Sequence, residues 1–271
     1  DHISAVVADS GQDVEILVAL REAKYCTHVK GWDFFMLRSD MGTDMEGIFA
    51  RWFETYDSIA MPSQLALSVL SSQDLWLHVE FLSLMQALEG FHRATMPGLY
   101  VSEEQYEPIR QALSNAIPKF VEKNHREALK SRIKYGNEVS LRKRLDALIS
   151  RLGMQLRKSL LGGDGTVPRS WVETRNYYTH WDEASRTATL DGIEMHRAAV
   201  RMKILLRVLY LSLTGIPQAA IEKSLQNGCN ESQYLIQLNS AEMRKQDSES
   251  RYGLMMRVDV KDAESPNDSS A

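Results

Sequence analysis

A short polar motif in the second half of the chain carries residue types suited to proton transfer and phosphate binding. Arg175, Asn176 and His180 fall within the six residues RNYYTH. Histidine exchanges a proton near neutral pH, and arginine presents a permanently charged fork that matches phosphate oxygens. Asparagine can orient a neighbouring side chain or bond an oxygen. Together these groups suit attack of an RNA 2′-OH on its own phosphodiester, with arginine neutralising the charge that develops on the phosphorane.

Helical spacing indicates which of these side chains could act together. At about 100° per residue, Glu173, Asn176 and His180 lie on one face of a helix. Arg175 and Tyr178 belong to a second stripe, where the tyrosine could support the site by stacking an unpaired base. Arg175 and His180 are therefore about 140° apart around the axis and about 7.5 Å apart along it, and they flank a common edge. The spacing alone leaves open that the motif is ordinary helix surface or a packing contact.

A second copy of the motif helix could complete such a site. Two of these helices facing each other across a twofold axis would bring two arginines and two histidines into one cleft. A twofold interface is self-complementary, so one motif helix per chain is enough to form such a paired site. We therefore expect a homodimer that forms through the motif helix.

The elements around the motif are predicted to be helical. From residue 44 onwards apolar residues recur at helical spacing, most regularly in a helix expected over about 72–95. Capping boxes, in which the N-cap and the third helical residue bond each other's backbone, are predicted at three helix starts. These are Ser102 with Gln105, Ser170 with Glu173, and Asp191 with Glu194. The expected fold class is mainly α, a helical bundle.

Proline and glycine are predicted to interrupt these helices. A helix over 44–58 is expected to end before Pro62, a helix over 102–122 to kink at Pro118, and a helix over 139–152 to stop at Gly153. Gly90 lies in mid-helix, where glycine costs about 1 kcal/mol relative to alanine. Close packing of another helix against Gly90 would explain it.

Three regions are expected along the chain. Residues 1–42 contain short β-type segments and are interpreted as the end of an upstream β-containing domain or a linker. Residues 43–228 form the helical domain. Residues 229–271 are largely polar, and their end is expected to be disordered.

Charge is distributed unevenly. The net charge of −4 excludes a uniformly basic nucleic-acid binder, but 12 Lys or Arg against four Asp or Glu lie between Lys119 and Lys158. Within this tract, Arg142, Lys143 and Arg144 lie opposite a leucine face and are predicted RNA contacts. A solvated helical face is the alternative.

Several classes of site are not expected. Cys26 and Cys229 are far apart and in no metal-ligand spacing, so neither a zinc site nor a disulfide scaffold is predicted. No metal or cofactor is expected. The most apolar run, 204–216, is too short to cross a bilayer. No membrane association and a cytoplasmic location are therefore predicted.

The motif also resembles a known family. RNYYTH has the form Arg-Asn-x3-His, which matches the Arg-x4–6-His signature of the HEPN superfamily (higher eukaryotes and prokaryotes nucleotide-binding domains). With FLSLMQALEGFHR (81–93), the basic middle and WVETRNYYTHWDE (171–183), the chain is similar to the Apea-like HEPN domains of bacterial anti-phage proteins over roughly 45–225. The resemblance implies a HEPN-type bundle and a dimeric, metal-independent endoribonuclease.

The same resemblance implies residue roles. Arg175 would bind phosphate, His180 would act as acid or base, and Asn176 would orient a neighbouring side chain. The implied reaction is cleavage of single-stranded or loop RNA, with tRNA among the candidates, in abortive anti-phage defence; the phage-derived trigger is unknown. Another HEPN branch is modified on a tyrosine two residues after the histidine, where this chain has Asp182. The alternative is a catalytically silent HEPN module that dimerises or binds RNA or a nucleotide.

Glu89, in QALEGFHR, has two interpretations. It could form an i,i+4 ion pair with Arg93 that stabilises its own helix. It could instead face the motif helix and hold Arg175 in place as a supporting residue. Nearby His78 is interpreted as a packing or interfacial histidine.

Overall fold

The computed structural model describes residues 2–6, 13–17, 35–42, 44–72, 75–181, 183–227 and 232–241. Most of these residues are helical, in agreement with the expected fold class. The elements in chain order are β1 His2–Val6, β2 Asp13–Leu17, α1 Arg38–Met41, α2 Met45–Ser71, α3 Leu77–Thr95, α4 Glu103–Asn115, α5 Lys123–Lys134, α6 Leu141–Ser150, α7 Met154–Leu161, α8 Arg169–His180, a 3-10 helix Glu183–Ala188, α9 Gly192–Leu213 and α10 Gln218–Asn227, followed by a helix over 232–241.

Helix α3 lies at the centre of the bundle. It contacts α2, α6, α8 and α9. Its buried side chains include Phe81, Leu84, Leu88 and Phe91. They recur every three or four residues, so they form one broad apolar face that packs into the core. The motif helix α8 therefore packs on a helix that also contacts α2, α6 and α9.

Pro62 does not end a helix, and this expectation was wrong. Helix α2 runs without a break from Met45 to Ser71 and contains Pro62. The packing of Gly90 explains why the proline is tolerated, since a Cβ built on Gly90 would lie 3.1 Å from the Cβ of Pro62. The expected close approach of another helix at Gly90 is confirmed. Tertiary packing of α2 on α3 outweighs the local cost of the proline.

Two other helix ends differ from the prediction. Helix α4 ends at Asn115, so Pro118 follows the helix instead of kinking it. Helix α6 ends at Ser150, and Gly153 is the N-cap of α7, a helix that the pattern did not predict. Glycine at an N-cap is only mildly less favourable than Ser or Asn.

Two of the three capping boxes are present. Ser102 and Gln105 bond reciprocally at the start of α4, and Asp191 and Glu194 do so at the start of α9. The box predicted at Ser170 is absent because α8 begins two residues earlier than predicted, with Pro168 as its N-cap. Glu173 instead pairs with Arg169 at 2.6 Å.

The ends of the chain are described only in part. Strands β1 and β2 form an antiparallel hairpin in which His2 pairs with Leu17 and Val6 with Asp13. This agrees with a β-type segment near residue 14, whereas residues 18–34 and the tail after 241 lie outside the described residues. The three domain limits stay predictions. Among the described helices, none has the length and apolarity to cross a membrane.

Candidate functional site

Two buried side chains anchor the motif helix. Trp171 and Thr174 face the core and are 2% and 0% exposed. The Thr174 Oγ1 accepts a hydrogen bond from the backbone N–H of Leu190 at 2.9 Å, which ties α8 to the segment that follows it. Spacing of three residues places both on one face. The next positions on that side, Arg175 and Tyr178, are thereby directed toward α3.

The guanidinium of Arg175 is held by two acceptors. Its Nη2 donates to Glu89 Oε2 on α3 at 3.4 Å, and its Nη1 donates to Asn176 Oδ1 at 3.2 Å. Asn176 thus contacts the arginine rather than His180. Arg93 donates to the other oxygen of Glu89 at 3.1 Å. Both interpretations of Glu89 therefore hold at once, because its two oxygens serve different arginines.

The ion pair at Glu89 continues into a longer network. Arg93 also pairs with Glu138 at 2.8 Å, and Glu138 accepts from Arg144 at 3.1 Å. Arg144 in turn lies 3.2 Å from Nδ1 of His92. Cations and carboxylates alternate through the chain of contacts, which offsets much of the cost of removing them from water.

A cavity of about 600 Å³ opens beside Arg175. Two helices supply its wall, and the residues are Leu82, Gln86, Glu89, Gly90 and Arg93 of α3 with Arg175, Tyr178 and Thr179 of α8. Two guanidinium groups against one carboxylate give the wall an excess of positive charge. Such a wall favours an anion such as a phosphate group.

His180 lies at the end of the motif helix and is exposed. The helix stops there because Trp181 adopts left-handed backbone angles (φ 52°, ψ 37°) and its N–H donates to Tyr177 O at 2.6 Å. His180 is not among the residues that line the cavity, and its side chain forms no hydrogen bond with any described residue. Within one copy of the chain, His180 therefore follows the lining residue Thr179 in sequence but does not itself line the cavity.

Aromatic rings cluster around the same helix end. Tyr178 stacks on His78 of α3, with ring centroids 5.8 Å apart and planes 13° from parallel. The indole of Trp181 lies 6.0 Å from Tyr178 and is 69% exposed. Trp76 at the start of α3 is also exposed. Such rings could stack a base or pack against a second protein surface.

Burial and neighbouring charge change the ionisation of the network. Burial lowers the pKa of His92, and Arg144, Arg151 and Arg93 lower it further. Burial also lowers the pKa of Arg144, and the charge of Arg93 adds to this effect. Burial acts in the same direction on Arg93, but hydrogen bonds to Glu138 and Glu89 outweigh it, so its pKa lies above the ordinary value. The neutral His92 ring can accept a hydrogen bond from Arg144 through Nδ1.

The three cations predicted to bind RNA have different environments. Lys143 is exposed, and its Nζ lies 4.5 Å from the ring centroid of Tyr100. Arg142 is half-buried and pairs with Asp146 at 3.0 Å. Arg144 is only 2% exposed, so the prediction of a surface RNA contact at this residue was wrong. Its side chain belongs to the internal network because it points into the bundle beside His92.

Sequence reasoning missed several residues of the cavity wall. Gln86 lines the cavity, and Arg93 does so as well as pairing with Glu89. Leu82, Gln86, Glu89 and Arg93 are spaced at i, i+4, i+7 and i+11, which places them on one face of α3. That spacing was the available signal. The stacking of His78 on Tyr178 had no sequence signal, because it depends on how α3 and α8 cross.

Over the described residues, no group of three or more His, Cys, Asp or Glu side chains is arranged to hold a metal ion.

A helical bundle in which an Arg-x4-His helix packs on a central helix is the architecture of a HEPN domain. A family model described as Apea-like HEPN matches residues 82–220, slightly more than half of the chain. The chain belongs to the Apea-like HEPN family. The match includes most of α3, the basic tract and the whole motif helix. No curated protein and no solved structure matches the chain.

Proposed function

We propose that this protein is a metal-independent endoribonuclease that cleaves single-stranded or loop RNA. The observation that carries the proposal is the ion pair between Arg175 and Glu89 on the wall of a positively charged cavity of about 600 Å³. A guanidinium held in place before the substrate arrives stabilises developing negative charge without reorganisation. HEPN domains are commonly nucleases, which makes this chemistry the first to test.

The proposed reaction uses the RNA's own 2′-OH as nucleophile. A histidine takes the 2′-OH proton while the 2′-oxygen forms a bond to phosphorus. Arg175 neutralises the charge on the phosphoryl oxygens, and the bond to the 5′-oxygen breaks as that oxygen gains a proton. The products are a 2′,3′-cyclic phosphate and a 5′-OH. Unpaired RNA is the favoured substrate because its sugar-phosphate backbone can adopt the in-line geometry.

A homodimer through the motif helix is part of the proposal. Exposed Trp76, Val79 and Trp181 lie beside the site and would be covered by a second copy. A second copy would also bring its own histidine toward the cavity, which fits the position of His180 at the exposed end of α8. One histidine could then take the 2′-OH proton while the other protonates the leaving oxygen.

The defence role and the choice of tRNA rest on family resemblance. We propose that the cleavage acts in abortive anti-phage infection in the cytoplasm, in response to a phage-derived trigger. Infection of cells carrying the wild-type gene or the His180→Ala gene would test this role. Equal phage yield in the two strains contradicts it.

One observation favours the second candidate, a catalytically silent HEPN module. His180 does not line the cavity of a single copy. If the protein does not form the proposed dimer, Arg175 would have no histidine facing it across the cavity, and the site could bind RNA without cleaving it.

The decisive experiment incubates the purified chain with total RNA and tRNA in EDTA. Wild type should release fragments with 2′,3′-cyclic phosphate ends. Arg175→Ala and His180→Ala should not, whereas His196→Ala, which changes an exposed histidine on α9, should cleave normally. His180→Ala should keep most RNA affinity. Binding without cleavage by wild type identifies the silent module instead.

Mixing the two inactive variants tests the dimer. If a site draws Arg175 from one copy and His180 from the other, Arg175→Ala mixed with His180→Ala should recover part of the wild-type rate. A wild-type monomer that retains full activity at high dilution contradicts the shared site.

A further inference from the structure

Helices α4 and α5 form a projecting hairpin, here called the arm (residues 103–134). The two helices pack mainly on each other. Tyr106 is the buried residue of α4, and α5, which is described along its full length, has none. Most of the arm's surface is therefore available to a partner.

Backbone and side-chain hydrogen bonds hold the base of the arm. Asn137 Oδ1 accepts from the N–H of Val101 at 3.1 Å, and its Nδ2 donates to Val101 O at 2.9 Å. The N–H of Val139 donates to Gly98 O at 2.9 Å. These contacts join the two segments of chain that enter and leave the arm. The loop over 116–122 therefore lies at the far end of the arm, here called the tip.

The return helix of the arm is strongly basic. From Lys119 to Lys134 there are six Lys or Arg and two Glu, in a chain with net charge −4. Lys123, Lys130 and Lys134 are spaced at i, i+7 and i+11, so they share one face over about 16 Å. Lys130 pairs with Glu127, whereas Lys123 and Lys134 have no carboxylate partner among the described residues. This stripe suits a polyanion.

An exposed aromatic ring stands at the tip. Phe120 is 89% exposed, between Lys119 and Lys123. Arg126 Nη2 donates to Lys119 O at 3.0 Å and to Val121 O at 2.8 Å, so the backbone on both sides of the ring is held. An exposed ring beside cations is the combination that stacks an unpaired base and binds its phosphates.

The basic stripe leads toward the candidate site. Helix α5 runs from the tip to the base, and Glu138 follows four residues after Lys134. Glu138 pairs with Arg93, which lines the Arg175 cavity. Acidic residues occupy the first turn of α4, at Glu103 and Glu104, so the polyanion is confined to the α5 side.

We infer that the arm binds single-stranded RNA, with Phe120 stacking a base at the tip and the lysine stripe guiding the backbone toward the Arg175 cavity. This inference rests on the proposed function for its substrate class. A protein partner is the competing occupant, because Ile109 and Leu113 of α4 are about half exposed. The charge of α5 favours RNA.

The test measures RNA binding separately from cleavage. The full chain carrying His180→Ala serves as parent, and the probe is a labelled single-stranded oligoribonucleotide of about 20 nucleotides. Phe120→Ala should weaken binding about 5-fold or more. Lys123→Gln and Lys134→Gln should each weaken it about 3-fold and lower the slope of log affinity against log salt by about 0.7.

Matched controls lie on other helices. Phe53→Ala removes an exposed phenyl ring of α2, and Lys223→Gln removes an exposed charge of α10. Both should bind RNA like the parent, and all variants should melt like it. Arm variants that match the controls overturn the inference, including the case in which the arm binds a protein instead.

The inference and the proposed function can fail independently. If wild type does not cleave RNA but Phe120→Ala loses affinity, the arm binds RNA and the nuclease proposal fails. If wild type cleaves and the arm changes, made in that active chain, leave KM unchanged, the nuclease proposal stands and the arm inference fails.

Discussion

Glu89 on α3 and Arg175 on α8 are 86 positions apart in the sequence, and their side chains form an ion pair with an N–O distance of 3.4 Å. The second oxygen of Glu89 accepts from Arg93 at 3.1 Å. One carboxylate therefore orients two guanidinium groups on the wall of one cavity. Because only about a fifth of the Glu89 side chain is exposed, water screens this arrangement less than it would screen a surface pair.

Replacing Arg175 with lysine should separate charge from geometry. Lysine keeps the positive charge but loses the planar fork that reaches both Glu89 and a phosphate. We expect the cleavage rate of Arg175→Lys to fall about 100-fold, with a much smaller loss of RNA affinity. Arg169→Lys, at a highly exposed position on the same helix, is the control and should cleave normally. Equal rates for both variants would mean that the fork has no role.

Glu89→Gln should reveal a positioning role. The amide keeps the size of the side chain but no longer fixes Arg175 by charge, so kcat should fall about 10-fold. KM should stay constant or fall, because a negative charge near the bound phosphate is removed. Glu183→Gln, which changes an exposed carboxylate paired with Arg186, is the control. A purely structural role for Glu89 would lower the melting temperature without this division between kcat and KM.

Arg144→Ala should act on stability rather than on RNA binding. The change leaves His92 without its Arg144 partner, leaves Glu138 Oε2 with Arg93 alone and removes a large buried side chain, which should cost about 3 kcal/mol. Lys143→Ala, next to it but exposed, should cost less than about 1 kcal/mol. Urea unfolding measures both. Unchanged stability of Arg144→Ala combined with weaker RNA binding would restore Arg144 as an RNA contact.

His92 should make folding stability depend on pH. Burial lowers its pKa in the folded state, whereas the unfolded chain binds a proton near pH 6.5. The unfolded state then binds more protons, so the free energy of unfolding should decrease as pH falls below about 6.5, by at most about 1.4 kcal/mol per pH unit, until the lowered pKa is passed.

Urea unfolding of wild type and His92→Gln between about pH 8 and pH 5 checks this expectation, because carboxylates contribute similarly to both proteins. The variant should show a flatter dependence below about pH 6.5. His196→Gln, which changes an exposed ring, should follow wild type. Parallel curves for wild type and His92→Gln would contradict a buried neutral His92.

Features that depend on neighbours a few residues away could be predicted from the sequence. The helical fold class and the caps at Ser102 and Asp191 follow from the spacing and chemistry of side chains within a turn or two of one another. The motif RNYYTH was recognisable for the same reason, since its residues lie within two turns of one helix. The roles of Arg175, Asn176 and His180 remain predictions.

Tertiary structure decided what those local signals could not. Pro62 remains inside α2 because it packs on Gly90, and Arg144 turns inward because His92 and Glu138 are there to receive it. The cavity exists because α3 and α8 pack together, which brings Glu89 to Arg175. Sequence spacing describes directions around one helix, whereas these contacts depend on the packing between helices, and that is determined by the whole core.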